Sequence, residues 1–303
     1  MTPVSYGVQT KSELRIAIQK RQTTRVTEFS NSAANLASAF VKARLSAQAI
    51  EAYPGPVPQT LADAYAIQDL AISAWPEPVA GWKVGRIMGD DAIRFGTDRL
   101  AGPIFSSQVR AASESPSVMP VFKGGFAAIE GECVIIAAQD APDDKTEWTN
   151  AEAIGMIGAI HAGIEIASSP FAGINDLGPL VTISDFGNNF GLVIGDLIPG
   201  WTDLATDEWS FETIIGDTRV GKATPAAIPG GPVESFRFML ENAARRGMPL
   251  KKGSAITTGA VTGVHIAGIS DSAIVRATGV RDIRVRLIEA EPRTEGADAS
   301  QAG

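Results

Sequence analysis

The sequence predicts an α+β protein in which a small helical N-terminal region precedes a β-rich body. Two observations carry this reading. Apolar residues recur at helical spacing in two stretches before residue 75, and from Gly81 onward the chain turns to short apolar runs cut by Gly and Pro. With 303 residues, 45% of them apolar, the chain can bury a sizeable core. The expected division is an N-terminal extension over 1–30, a helical region over 31–80, the β-rich body over 81–290 and a polar, disordered tail over 291–303.

Within the extension a short helix is expected around 11–21. The first firm helix spans 32–46, where Ala34, Leu36, Ala37, Phe40, Val41 and Leu45 form a stripe after a Ser/Asn start. A proline-rich linker, YPGPVPQ over 53–59, separates it from a second helix that opens at Thr60. Asp63 stands three residues after Thr60, close to a capping box, and Ala62, Tyr65, Ala66, Leu70 and Ile72 are its expected apolar side. Strands are expected over 82–84, 118–122, 126–138, 163–167, 180–183, 191–194, 208–215, 255–258 and 281–288. Pro120 restricts the second of these to a sheet edge. Two further helices are expected over 150–161 and 233–246.

Composition excludes several functions. Thirty-four acidic against 26 basic residues leave a net charge of −8, with no basic run to hold nucleic acid or an anionic membrane face. The apolar runs are too short for a membrane span. The first residues lack the apolar core of a secretory signal. The one cysteine, Cys133, can form no internal disulfide, so a cytoplasmic setting is expected. Two histidines and one cysteine leave little room for zinc, so any metal must be held by oxygen.

Such oxygen is on offer in the run FAAIEGECVIIAA over 126–138. In a strand Glu130 and Glu132 point to one face with Ala128, Val134 and Ile136. Both faces are otherwise apolar, and two unpaired carboxylates there would each cost roughly several kcal/mol. On this pattern alone a solvent-exposed strand end fits equally well. Glu165, which interrupts a second apolar stretch, IHAGIEIASS, shifts the balance toward a shared cation. Three carboxylates make a hard site suited to Mg²⁺ or Mn²⁺, with Ca²⁺ a poorer match, and such an ion keeps positions for water and a chelating substrate.

The motifs LADAYAIQ (61–68), GWKVG (81–85), GPIF (102–105), IEGE, AGIEI, ISDFGNNFGLVIG (183–195) and LKKGSAITTG (250–259) together resemble the 2-keto-4-pentenoate hydratase and 4-oxalocrotonate decarboxylase group of the fumarylacetoacetate hydrolase superfamily. The resemblance runs from about residue 32 to 288. It implies a β-rich roll with a helical N-terminal region, assembled as a homo-oligomer. It also implies a metal on Glu130, Glu132 and Glu165, an acid/base or substrate-contacting lysine at Lys83, and Thr258 and Gly259 beside a small 2-oxo acid substrate. The implied reaction is hydration of a 2-hydroxy-2,4-dienoate in aromatic-compound catabolism, with decarboxylation, acylpyruvate hydrolysis and an inactive partner subunit as alternatives.

The residues themselves add detail. Lys83, shielded between Trp82 and Val84, is expected to have its pKa lowered by burial and by a nearby metal, which suits proton transfer. Asp185 and Asn188 in the SDFGNNFG turn are candidates to bond metal-bound water, although turn-forming Asx hydrogen bonds explain them as well. His161 reads as structural, and His265 carries little weight. The sequence departs from the family at Ser106 and Ser107, where hydratases carry acids, at Ser168, and at Phe186 to Asn189, which replace Asn-Ala-Ser-Ser.

Overall fold

A computed structural model describes residues 30–293, in which two sheets pack face to face beneath a helical cover. The predicted helix around 11–21 and most of the predicted tail lie outside these residues. Helix α1 occupies 30–45 and buries Leu36, Ala37, Phe40 and Val41 as the spacing predicts, with Ala33 rather than Ala34 turned inward. Helix α2 (Leu61–Ala74) starts at a complete capping box between Thr60 and Asp63. Its inner face differs from the predicted one. Ala64, Ile67, Gln68 and Ala71 are buried, whereas Leu70 is exposed. The Gln68 amide donates to the carbonyls of Ala101 and Ile183, so a polar residue at the contact outweighs the apolar count in setting the helix's rotation.

The larger sheet has the order β2 (Arg99–Phe105), β1 (Val79–Arg86), β10 (Ala255–Thr257), β5 (Phe126–Ala137), β6 (Ile157–Ser169), β7 (Asn189–Leu197), β3 (Val109–Ala111), and β11 (His265–Ile266) also pairs with β5. The smaller sheet runs β4 (Ser117–Val121), β13 (Ile283–Glu289), β12 (Ser272–Ala277), β8 (Phe211–Ile215), β9 (Thr218–Ala223). Pro120 sits in β4, at an edge as its missing N–H requires. The strand predicted over 180–183 is instead the helix α5 (Pro179–Ser184), which Pro179 opens. A four-residue apolar run cannot distinguish a buried strand from a buried helical turn. The helix predicted over 150–161 stops early: α4 covers Asn150–Ile154 and the chain then enters β6. The short α3 (Gly89–Phe95) joins β1 to β2.

The main core lies where the odd-numbered face of β5 meets the smaller sheet. Gly131 makes this possible, because a Cβ there would lie 2.9 Å from Thr213 Oγ1. Helix α6 (Gly231–Arg245) closes the core with Phe236, Met239, Leu240 and Ala243, the larger of these each contributing roughly 1.5–3 kcal/mol of burial. The even-numbered face of β5 turns the other way, where Val134 packs against Ile104, Leu192 and Ala255, and carries both glutamates. Among the described residues no helix is long and apolar enough to cross a membrane.

Candidate metal centre

The antiparallel register of β5 and β6 sets Glu130 directly opposite Glu165 and Glu132 opposite Gly163. Period-2 alternation then brings all three glutamates to one face. One carboxylate oxygen from each lies within 4.8 Å of the others, and Glu132 and Glu165 are fully buried. β10 and β11 leave a gap along β5, where the loop between them donates from the Thr258 and Val261 amides to the Cys133 and Gly131 carbonyls. In that loop the Gly259 amide donates to Glu132 Oε2 at 2.8 Å, from a backbone with φ +115° that only glycine adopts readily. Glu132 Oε1 is buried with no hydrogen-bond partner.

Lys83 reaches this cluster from β1. Its Nζ lies 3.2 Å from Glu165 Oε1 and donates to Asn188 Oδ1 at 3.2 Å. The sequence predicts a pKa lowered by burial and by a nearby metal, and the three glutamates act in the other direction. Burial does act against the charge, yet Glu165, Glu130 and Glu132 together outweigh it and hold the ammonium form firmly. One cation faces three acids, and the acids adjust. Burial raises Glu130 to about 7 against the pull of Lys83, and burial with the two neighbouring glutamates raises Glu132 well above the usual range. Hard oxygens, an orphaned buried acceptor and an excess of acids over bases together fit a divalent cation.

Beside the cluster is a cavity of about 530 Å³ reached by Lys83, Glu130 and Asn188 and walled by Ile87, Leu100 and Pro179. A second cavity, of about 570 Å³ near Trp82 and Lys251, contains none of the glutamates. Asn188 is held by a turn in which Phe186, Gly187 and Asn188 all have positive φ. That turn is pressed against β2, where a Cβ on Gly102 would lie 2.1 Å from the Phe186 carbonyl oxygen. The Asn188 amide also donates to Asn175 at 3.2 Å.

Other predicted site residues lie elsewhere. Asp185 does not reach the cavity: Arg44 of α1 grips its carboxylate in a fully buried ion pair, and Ser169 donates to it at 2.6 Å. Arg44 also donates to the carbonyls of Asn189 and Ser168, so this pair pins α1 to the sheet. The Thr258 hydroxyl is taken by the Cys133 carbonyl at 3.0 Å. His161 Nδ1 lies against the Gly195 carbonyl and His265 Nε2 against Thr262. Ser107, beyond the end of β2, bonds Glu77 and Arg293, whereas Lys83 of β1 pairs with Gly102 inside β2, and Ser168 bonds the Phe126 carbonyl. Two residues that the sequence does not mark as site candidates contact Glu165: Thr257 Oγ1 donates to Oε2 at 2.8 Å and Asn189 Nδ2 to Oε1 at 3.1 Å. Strand parity was the available signal, since Thr257 pairs with Val134, on the glutamate face, and Asn189 with Ala167.

No sequence-family model matches the chain, and no curated protein matches it by sequence. Solved structures do match its shape. The 4-oxalocrotonate decarboxylase of Pseudomonas putida G7, complexed with magnesium and adipate, superposes with a TM-score of 0.70 at 18% identity, over 85% of this chain and 98% of that one. The 5-carboxymethyl-2-hydroxymuconate delta-isomerase of Mycobacterium smegmatis gives 0.51 at 16% identity, over 71% and 81%. Fumarylpyruvate hydrolase of Pseudomonas aeruginosa, in complex with Mn²⁺ and pyruvate, gives 0.50 at 16% identity, over 71% and 91%. The chain thus has the fold of the fumarylacetoacetate hydrolase superfamily.

Proposed function

We propose that this chain is a divalent-metal-dependent enzyme for small 2-oxo acids, of the hydratase type that adds water across a 2-hydroxy-2,4-dienoate. The observation that carries the reading is the convergence of three buried glutamates, one of them with an unpartnered oxygen, beside a cavity that Lys83 also reaches. Glu130, Glu132 and Glu165 would hold Mg²⁺ or Mn²⁺, which would supply positive charge where negative charge develops on the substrate's C2 oxygen. Lys83 keeps a proton at Nζ, where the glutamates hold it in the charged form, and Asn188 holds that nitrogen at the cavity. The apolar walls at Ile87, Leu100 and Pro179 take the hydrocarbon part of the substrate and exclude water from it.

A second reading is release of CO2 from a 2-oxo dioic acid. It is favoured by the extent of the overlap with 4-oxalocrotonate decarboxylase, nearly that enzyme's whole length. Decarboxylation needs an electron sink, which a metal held by the three glutamates would supply, and a proton donor, for which Lys83 is placed. Hydrolysis of an acylpyruvate asks for a water-activating base, and neither histidine lines the cavity. The test follows the absorbance of 2-hydroxypenta-2,4-dienoate and CO2 release from an oxalocrotonate-type substrate, each with Mg²⁺ and with chelator. Metal-dependent loss of the dienoate supports hydration, and CO2 release moves the assignment to the second reading. Neither reaction, in a protein that still binds metal, leaves a non-catalytic partner subunit and overturns both.

A further inference from the structure

We infer that Thr257 and Asn189 are positioning residues that hold Glu165 as a single-oxygen ligand and so bias the centre toward small octahedral cations and away from Ca²⁺. The inference rests on the metal-centre reading above. Each residue occupies one Glu165 oxygen: Thr257 Oγ1 donates to Oε2 at 2.8 Å and Asn189 Nδ2 to Oε1 at 3.1 Å. The two donors approach from opposite sides, Asn189 from the adjacent β7 and Thr257 from β10 beyond β5, and both residues are about 99% or more buried, so no water competes for the carboxylate. Lys83 crowds Oε1 further at 3.2 Å.

A carboxylate held this way has little freedom to turn both oxygens toward one ion. Ca²⁺ accepts six to eight oxygens and often takes carboxylates through both, whereas Mg²⁺ and Mn²⁺ take about six in near-octahedral array. Glu132 differs: Gly259 holds only Oε2, and Oε1 has no partner. The centre therefore pairs one locked ligand with one that has a free oxygen. Locking also lowers the entropy lost on binding, and removing such an outer hydrogen bond typically weakens metal affinity about 10–100-fold.

The test is calorimetric titration of the full chain with Mn²⁺ and with Ca²⁺, for wild type, Thr257→Val, Thr257→Ser and Asn189→Ala. Thr257→Val should bind Mn²⁺ about 10-fold or more weakly and lose part of the Mn²⁺-over-Ca²⁺ preference, while Thr257→Ser restores both. Asn189→Ala should shift the preference the same way. Near-UV circular dichroism of the metal-free variants separates misfolding from loss of positioning, and Thr257→Ser keeps the test valid if Thr257→Val does not fold. Unchanged Mn²⁺ affinity and preference in Thr257→Val overturns the inference. Wild-type protein that binds neither ion overturns the metal-centre reading itself, a distinct result.

Discussion

Replacing Glu132 by glutamine separates what this carboxylate costs the fold from what it does for a cation. Oxygens of the three glutamates lie within 4.8 Å of one another. At an effective dielectric of about 20, two full charges at that distance repel by about 3.5 kcal/mol, and Lys83 can offset only part of the sum. Without metal, burial and its neighbours therefore push Glu132 toward the protonated form. Glutamine matches that form in shape and charge and keeps an acceptor for the Gly259 amide. Metal-free Glu132→Gln should thus be as stable as wild type, or more stable by up to about 3 kcal/mol. With metal the order reverses. An ion at 100 times its Kd stabilises a protein by about 2.7 kcal/mol. At about 2–4 °C per kcal/mol for a domain of this size, wild-type Tm should rise by about 5–11 °C. The variant should show almost none of that rise. Thermal unfolding in chelator and in Mg²⁺ or Mn²⁺ reads both effects. An equal metal shift in the variant refutes the reasoning, as does a metal-free variant destabilised by more than about 2 kcal/mol.

Other perturbations probe different parts of the same frame. In the metal-free protein Glu130 titrates at about 7 rather than 4.5. Between those values the folded state holds a proton that the unfolded chain has released. Unfolding free energy should therefore fall as pH rises through that window, by at most about 1.4 kcal/mol per unit from this group, and Glu130→Gln should flatten the slope. Urea unfolding in chelator at pH 5 and pH 7 tests it, and equal slopes in both proteins count against the assignment. Arg44→Leu leaves Asp185 buried and unpaired and should lower stability by about 3–5 kcal/mol in the same assay; a change below 1 kcal/mol contradicts the structural role assigned to the pair. Gly102→Ala puts a Cβ 2.1 Å from the Phe186 carbonyl oxygen, so the turn carrying Asn188 must move. Stability should drop by about 1–3 kcal/mol and turnover with it, whereas unchanged unfolding and kinetics would rule out so close an approach.

Part of this architecture was legible in the chain alone. Two glutamates spaced by two in an apolar run share a face in any strand, because alternation is a property of the backbone and needs no neighbour. Thr60 and Asp63 likewise form a capping box over a few residues, and Pro120 is barred from an interior strand by its missing N–H. Tertiary structure decided the rest. Whether 180–183 forms a strand or a helical turn depended on what covers it, and the inner face of α2 was set by two carbonyls that Gln68 meets from distant segments. Burial of the glutamates, left open by the pattern, followed from the strands around them and the loop between β10 and β11. The direction of the Lys83 shift depended on which charges lay within a few ångströms, and Asp185 proved to be committed to Arg44, 141 residues earlier in the chain. Alternation and capping act over a few residues and can be read locally. Burial, charge pairing and the choice of face are sums over neighbours that only folding brings together.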